Sequence, residues 1–212
     1  MIDSSTLALF MGTTLIFLLT PGPAVFYIVA RSIDQGRTAG LVSSLGINAG
    51  TLLHVAAAAF GVSALLVSSA LAFNLIKYLG AAYLIYLGLR KLFVREEERI
   101  IAAGPSHKLS RVFYQGALVN ILNPKTALFF FAFLPQFVDP SAYNVVGQTL
   151  ILGGIFVVMA IMSDSLYAVL AGSAGQWLKN NSRFLRWQRY LTGSVYIVLG
   201  VGAALAGTSK NK

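Results

Sequence analysis

Residues 4–30 read SSTLALFMGTTLIFLLTPGPAVFYIVA, and they hold no Asp, Glu, Lys or Arg. About 20 apolar residues span a bilayer as helix, so this stretch is long enough to cross one. Its weak point is Thr20-Pro21-Gly22-Pro23. A proline inside a helix has no N–H to give, and its ring clashes with the carbonyl four residues back. The stretch therefore reads as one span broken in two. A secretory signal peptide opens on a basic segment and ends at a small-residue cleavage site. Here no Lys or Arg precedes Arg31 and the stretch runs into Pro-Gly-Pro, so it is read as a span.

Working outward, residues 38–76, 140–163 and 190–209 are equally free of Asp, Glu, Lys and Arg. Of 212 residues, 57% are hydrophobic and 11% charged. A soluble domain carries about 25% charged residues, so the chain reads as an integral membrane protein. Hydrophobic runs and polar breaks give six spans, 5–31, 39–69, 71–92, 112–138, 145–175 and 190–208. Helix is the state expected of each, because an open strand cannot satisfy its backbone in lipid. There is no cysteine, which excludes disulfides and thiolate metal sites.

The net charge of +9 invites a nucleic-acid reading, but the placement of the charges explains it. Of 16 Lys and Arg, twelve fall in the first, third and fifth connections. Lys77, Lys210 and Lys212 lie on the opposite side, and Lys125 lies inside the fourth span. The positive-inside rule then puts the odd connections in the cytoplasm and both termini outside. The long polar connection 94–110, with Arg95-Glu96-Glu97-Glu98-Arg99, reads as a solvated cytoplasmic linker.

The chain also repeats itself. Lys77–Gly88 opens the third span and Arg189–Gly200 the sixth, and five of twelve positions are identical without gaps. The break at Thr20-Pro21-Gly22-Pro23 in the first span has its counterpart at Asn123-Pro124-Lys125 in the fourth. The fold expected is therefore all-α and integral to the membrane. It has six transmembrane helices as two inverted three-helix repeats, 1–93 and 111–212, with helices 1 and 4 broken at the Pro motifs. Inverted repeats with discontinuous helices point to a transport site at the repeat interface.

Proline suits the first turn of a new helix, and Thr and Asn are good N-caps. Thr20 and Asn123 are accordingly expected to cap half-helices that start at Pro21 and Pro124. The N-termini of those half-helices would suit a carboxylate. Carbonyls freed before the prolines, at Leu18, Leu19 and Leu122, would suit an ammonium. The substrate-binding set expected is Thr20, Pro21, Gly22, Pro23, Asn123, Pro124 and Lys125.

Asp164 lies in the fifth span, where a charge is expensive and faces the bundle interior. It is a candidate for proton coupling or one half of a structural ion pair. Lys125 can pair with Asp164 or meet a substrate carboxylate. His54, on the small-residue stripe Gly46, Gly50, His54, Gly61, is either a proton relay or a packing histidine. Asn48 and Asn120 are candidate interhelical hydrogen bonders. One Asp, one His and no Cys within the spans do not make a metal site, and no cofactor is called for. No Gly-rich phosphate loop is present.

At Thr20–Pro23, Asn123–Lys125 and Tyr78–Gly88 the sequence resembles the LysE/RhtB family of bacterial amino-acid exporters. Gly36-Arg37…Gly40 and Leu134-Pro135-Gln136-Phe137 add to the resemblance, which covers nearly the whole chain. It implies proton-exchange-driven efflux of amino acids or small derivatives through the bacterial cytoplasmic (inner) membrane. Within the family it is nearer to members handling neutral substrates such as homoserine, threonine and leucine. The partners expected are a small-molecule amino acid, protons and the lipid bilayer, with a homo-oligomer compatible and nucleic acid excluded. The competing readings are export of another small solute or cation, and an integral-membrane enzyme. No nucleophile motif surrounds His54, Asp164 or the serines to favour the enzyme.

The charge asymmetry yields a direct test of topology. Reporters fused at Lys212 and within 94–110 are expected to label opposite faces of the membrane, with Lys212 outside. A cytoplasmic C-terminus would overturn both the orientation and the paired-repeat reading.

Overall fold

The computed structural model describes residues 2–62 and 108–179, with scattered single positions in 78–93 and 190–201. Among the described residues all regular structure is helical. The expected third and sixth spans, their sequence echo and the 94–110 linker lie outside the described residues, apart from those single positions.

Helix α1 runs Ser4–Leu19 and starts on a side-chain cap, with the Asp3 carboxylate accepting from the backbone N–H of Thr6 at 2.9 Å. The hydroxyls of Ser5 and then Thr6 also bond that carboxylate, and together they hold its pKa well below the usual range. The helix ends because Pro21 follows. A residue before proline is pushed out of the helical region, and Thr20 sits at φ −81, ψ 114.

Helix α2, Pro23–Ala57, is entered with Pro23 in its first turn, and Gly22 is its N-cap without a side-chain bond. This corrects the expected boundary. Thr20 closes α1 instead of capping the next helix, and the second half-helix begins at Pro23, not Pro21. Two prolines one residue apart leave only the later one free to be a first-turn residue, because Pro21 holds Thr20 extended.

Inside α2, Gly36 stands at φ 82, ψ 176, a region open essentially to glycine alone. The chain doubles back there. A Cβ on Gly40 would run into the Ser32 side chain, eight residues earlier, which a straight helix could not bring together. The limb up to residue 35 therefore belongs with α1, and the limb from 37 onward is a second long helix. It continues as a π-helical turn, Ala58–Val62. Gly36 lies within the connection expected between the first two spans, 5–31 and 39–69.

The second half opens on α3, Leu109–Ile121, followed by α4, Pro124–Leu128. A π turn Phe129–Phe133 and a 3-10 turn Leu134–Phe137 extend α4, and the axis bends by 48° between Leu109–Ile121 and Pro124–Phe137. Helix α5, Val145–Lys179, has 35 residues. At 1.5 Å per residue it is about 52 Å long, well beyond a hydrocarbon core of about 30 Å.

Three contacts set the arrangement. Phe10 packs on Phe137 and Phe17 on Phe129, with ring centroids 5.3 and 4.7 Å apart, so α1 lies antiparallel to α4. Tyr27 Oη donates to the Val112 carbonyl at 2.9 Å, and Arg31 Nη2 to Gln115 Oε1 at 2.9 Å, so the first limb of α2 lies along α3. The second limb meets α3 backbone to backbone. A Cβ on Gly46 would strike the Phe113 carbonyl, and one on Gly50 would come within 2.7 Å of the Ala117 carbonyl. Small residues permit this approach in membrane bundles, and here they bring Asn120 within reach of the α2 backbone.

Two apolar clusters result. The larger joins Phe10 and Phe17 of α1 to Phe129, Phe130 and Phe133 after α4 and to Leu152 and Phe156 of α5. The smaller joins Ile28 and Ile47 of α2 to Ala168 of α5. The broken helices meet between them, break against break.

Two glycine substitutions rank these constraints. Gly36→Ala keeps open space around the new methyl but places it in a strained backbone, and is expected to cost about 1–3 kcal/mol. Gly46→Ala drives a methyl into a backbone carbonyl and is expected to cost more. Thermal unfolding of the purified variants in detergent checks the order, and the reverse order would refute the helix-packing account.

Candidate functional site

A proline donates no backbone hydrogen bond, so the carbonyl four residues before it loses its helical partner. For Pro21, Pro23 and Pro124 those carbonyls belong to Phe17, Leu19 and Asn120. In a membrane interior such a group must find another donor. The Phe17 carbonyl keeps a backbone bond from the Thr20 N–H at 3.2 Å and the Asn120 carbonyl one from the Asn123 N–H at 3.0 Å, and all three carbonyls also accept from a side chain of another helix. Lys125 Nζ donates to the Phe17 carbonyl at 2.8 Å, Tyr167 Oη to the Leu19 carbonyl at 2.9 Å, and His54 Nε2 to the Asn120 carbonyl at 2.9 Å.

Lys125 is buried at the start of α4. Besides the Phe17 carbonyl, its ammonium also donates to the Thr20 carbonyl in a short bond, and it stands 4.3 Å from the centroid of the Phe17 ring. Two carbonyls and an aromatic face make a complete setting for a cation. Of the carbonyls expected to be freed, at Leu18, Leu19 and Leu122, the one at Leu19 is freed, and Phe17 and Asn120 stand in place of the other two. The carbonyls that meet the lysine are those of Phe17 and Thr20, and that of Leu19 is taken by Tyr167.

The second break is fixed by Asn123, the expected N-cap. Its Oδ1 accepts from the Lys125 backbone N–H at 3.1 Å, and its Nδ2 donates to Thr126 Oγ1 at 3.0 Å and to Asn120 Oδ1 at 3.2 Å. Asn120 reaches across to α2, donating to the Ile47 carbonyl at 2.9 Å and to Thr51 Oγ1 at 2.8 Å. The break is thereby tied into the second limb of α2.

On the other wall, Asp164 is buried in α5, and its Oδ2 accepts from Asn48 Nδ2 at 3.0 Å. Asp164 and Lys125 line the same cavity, with Gly22, Asn123, Asn120 and Thr51, between Phe17 and Phe156. The cavity measures about 30 Å³, room for a water or two. Lys125 and Asp164 are the two titratable side chains on its lining.

Of the expected site residues, Gly22, Asn123, Lys125 and Asp164 thus line one cavity, and Thr20 joins it through its carbonyl. Pro21, Pro23 and Pro124 shape the backbone without lining it. His54 stands behind Asn120, its ring stacked near Phe130 at 6.2 Å between centroids. A carbonyl only accepts, so Nε2 of His54 carries a proton in this arrangement. Asn48 and Asn120 form the interhelical bonds expected of them. Phe17, Thr51 and Thr126 were not singled out from the sequence. Counting four residues back from Pro21 would have found Phe17.

The proline–carbonyl account is open to a double-mutant cycle. His54→Leu should cost about 1–3 kcal/mol, because the Asn120 carbonyl loses a buried donor. In a Pro124→Ala background, a restored N–H at position 124 can serve that carbonyl, so the cost should fall by about 1 kcal/mol. Thermal unfolding of the four proteins measures the coupling. Strict additivity would show that His54 does not act through this carbonyl.

The family model of the LysE type translocator matches residues 15–207. The chain is 30% identical over 198 residues to the uncharacterized membrane protein YrhP of Bacillus subtilis (strain 168), covering 89% of this chain and 93% of that one. It is 29% identical to the homoserine/homoserine lactone efflux protein of Salmonella typhimurium, covering 93% of this chain and 94% of that one. It is 28% identical to the leucine efflux protein of an Enterobacter species, covering 89% of each. No solved structure matches the chain. With the family model covering nearly its whole length and a proline break joined to a proline break around one buried cavity, the chain belongs to the LysE type translocators, a bacterial family of membrane transporters.

Proposed function

We propose that this protein is a secondary active exporter of amino acids, neutral ones or their derivatives, working by proton-coupled alternating access in the bacterial cytoplasmic membrane. The observation that carries the reading is the buried cavity at which the two breaks meet, with Lys125 on one wall and Asp164 on the other. Opposite charges in an apolar interior are costly to bury, and in a transporter they mark the path of a charged substrate or of protons. The names of the efflux relatives support an amino acid as that substrate.

Antiparallel packing of α1 on α4 and the turns that extend it, with a proline break in each, supports two inverted repeats, 1–93 and 111–212, joined by the 94–110 linker. Six spans and outward termini complete the reading. One repeat rocks against the other around the cavity, opening it to each side in turn. Asp164 carries the coupling proton. The titratable side chains close to it are Lys125 and Tyr167, with Asn48 donating to its carboxylate. His54, behind Asn120, is the second candidate for that proton.

Everted membrane vesicles test this. With an imposed proton gradient, vesicles carrying the protein should accumulate leucine, homoserine or another neutral amino acid faster than control vesicles. Asp164→Asn should abolish gradient-driven accumulation while exchange of labelled for unlabelled substrate persists. If no amino acid in a broad panel moves faster than in controls, the reading fails. If the variant keeps the wild-type pH dependence, Asp164 is not the coupling group.

A further inference from the structure

Lys125 does not stand ready for a carboxylate. Its ammonium is already engaged, on the carbonyls of Phe17 and Thr20 and over the Phe17 ring. These three groups recognise a primary ammonium as such, whatever chain it hangs from. They lie at the break in the first span, and they belong to a different helix from the lysine that fills them. Resting on the exporter reading above, we propose that this cradle is the subsite for the α-ammonium of the substrate, and that Lys125 is a tethered stand-in which occupies it between substrates and is displaced when one binds.

Size and charge both favour displacement over addition. A cavity of about 30 Å³ has no room for an amino acid beside the lysine. When a substrate ammonium takes the carbonyls, Lys125 Nζ moves off by a few bonds' rotation. The substrate carboxylate, one carbon from the arriving ammonium, then lies where the displaced ammonium can pair with it. One ammonium replaces another on the same acceptors, so no carbonyl is left without a donor at either end of the exchange.

The same exchange selects the substrate class. With Lys125 and Asp164 both ionised, the cavity holds one charge of each sign before it. After it, a zwitterion has added one charge of each sign, and the interior balance is kept. A side-chain cation would add an uncompensated charge to a low-dielectric interior, which is costly. An N-acylated amino acid would bring a carboxylate with no ammonium for the cradle and would leave Lys125 in place. The substrate is therefore an α-amino acid of no net charge with a free primary amine.

Two measurements on purified protein in detergent test this, and neither needs transport. In Lys125→Ala the cradle has lost its occupant. The monoamine n-butylammonium should raise the unfolding temperature of that variant with a half-saturating concentration at least about tenfold below any effect on wild type, a difference of about 1.4 kcal/mol. Butyrate should do nothing to either protein. In wild type, a short pulse of an acetylating reagent read by peptide mass spectrometry, with exposed Lys108 as the internal reference, should modify Lys125 several-fold faster with saturating leucine than without. N-acetyl-leucine should leave the rate unchanged. The wild-type measurement stands even if Lys125→Ala does not fold. Equal stabilisation of both proteins by n-butylammonium would overturn the proposal. So would an unchanged Lys125 rate under leucine in a protein that exports leucine. Failure of export in vesicles would instead sink the reading on which the proposal rests.

Discussion

The structure depends on what proline withholds. Three prolines in two helix breaks remove three backbone N–H groups from a setting with no water to replace them. The carbonyls of Phe17, Leu19 and Asn120 lose their regular helical partner, and Lys125, Tyr167 and His54 donate to them, beside the backbone N–H of Thr20 on the first and of Asn123 on the last. Each of these side chains is polar, and each comes from a helix other than the one it completes. A break that would weaken one helix thus becomes the point at which it is joined to another. That is why these polar residues lie within otherwise apolar spans.

Around these joints the rest of the frame is made close and apolar. Gly46 and Gly50 let α2 touch the α3 backbone, which carries Asn120 to the Ile47 carbonyl and to Thr51. The phenylalanine cluster fills the space between α1, the turns after α4, and α5. The cavity lies between that cluster and the smaller one, lined by Phe17 and Phe156 of the first and Ile47 of the second, with Asn120, Lys125 and Asp164 among them.

Much of this was legible in the sequence, and the rest was hidden for identifiable reasons. Charge-free stretches exposed the membrane character, and Pro21, Pro23 and Pro124 located the breaks. Asn123 reads as a cap and is one. Thr20 reads equally well as a cap and is not, because Pro21 holds it extended at the end of α1 and hands the first helical turn to Pro23. Which carbonyls are orphaned follows from the helical period, but which side chain reaches each depends on how distant segments pack. Among the 14 phenylalanines, the local signal at Phe17 is its place four residues before Pro21, and nothing local says that Lys125 is what reaches it. Its role comes from standing four residues before a proline and opposite Lys125. The place of His54 behind the cavity likewise depends on the approach of α2 to α3.

The two charged walls are not equally provided for, and the difference bears on mechanism. The ammonium of Lys125 has two carbonyls and a ring. Around Asp164 the helices carry buried polar atoms with no partner among the described residues: Asn48 Oδ1, Ser44 Oγ and Ser163 Oγ. A buried polar atom left without any partner costs about 1–3 kcal/mol, so these positions of α2 and α5 are places where water, a proton or a substrate group can bond. The saturated side resists change until an equivalent cation arrives, whereas the deficient side gains from any proton or polar group brought to it. A site that is rigid toward cations and receptive beside its carboxylate is suited to exchanging one ammonium for another while a proton comes and goes at Asp164. A purely structural ion pair would gain nothing from this asymmetry, since its stability is greatest when both partners are fully bonded.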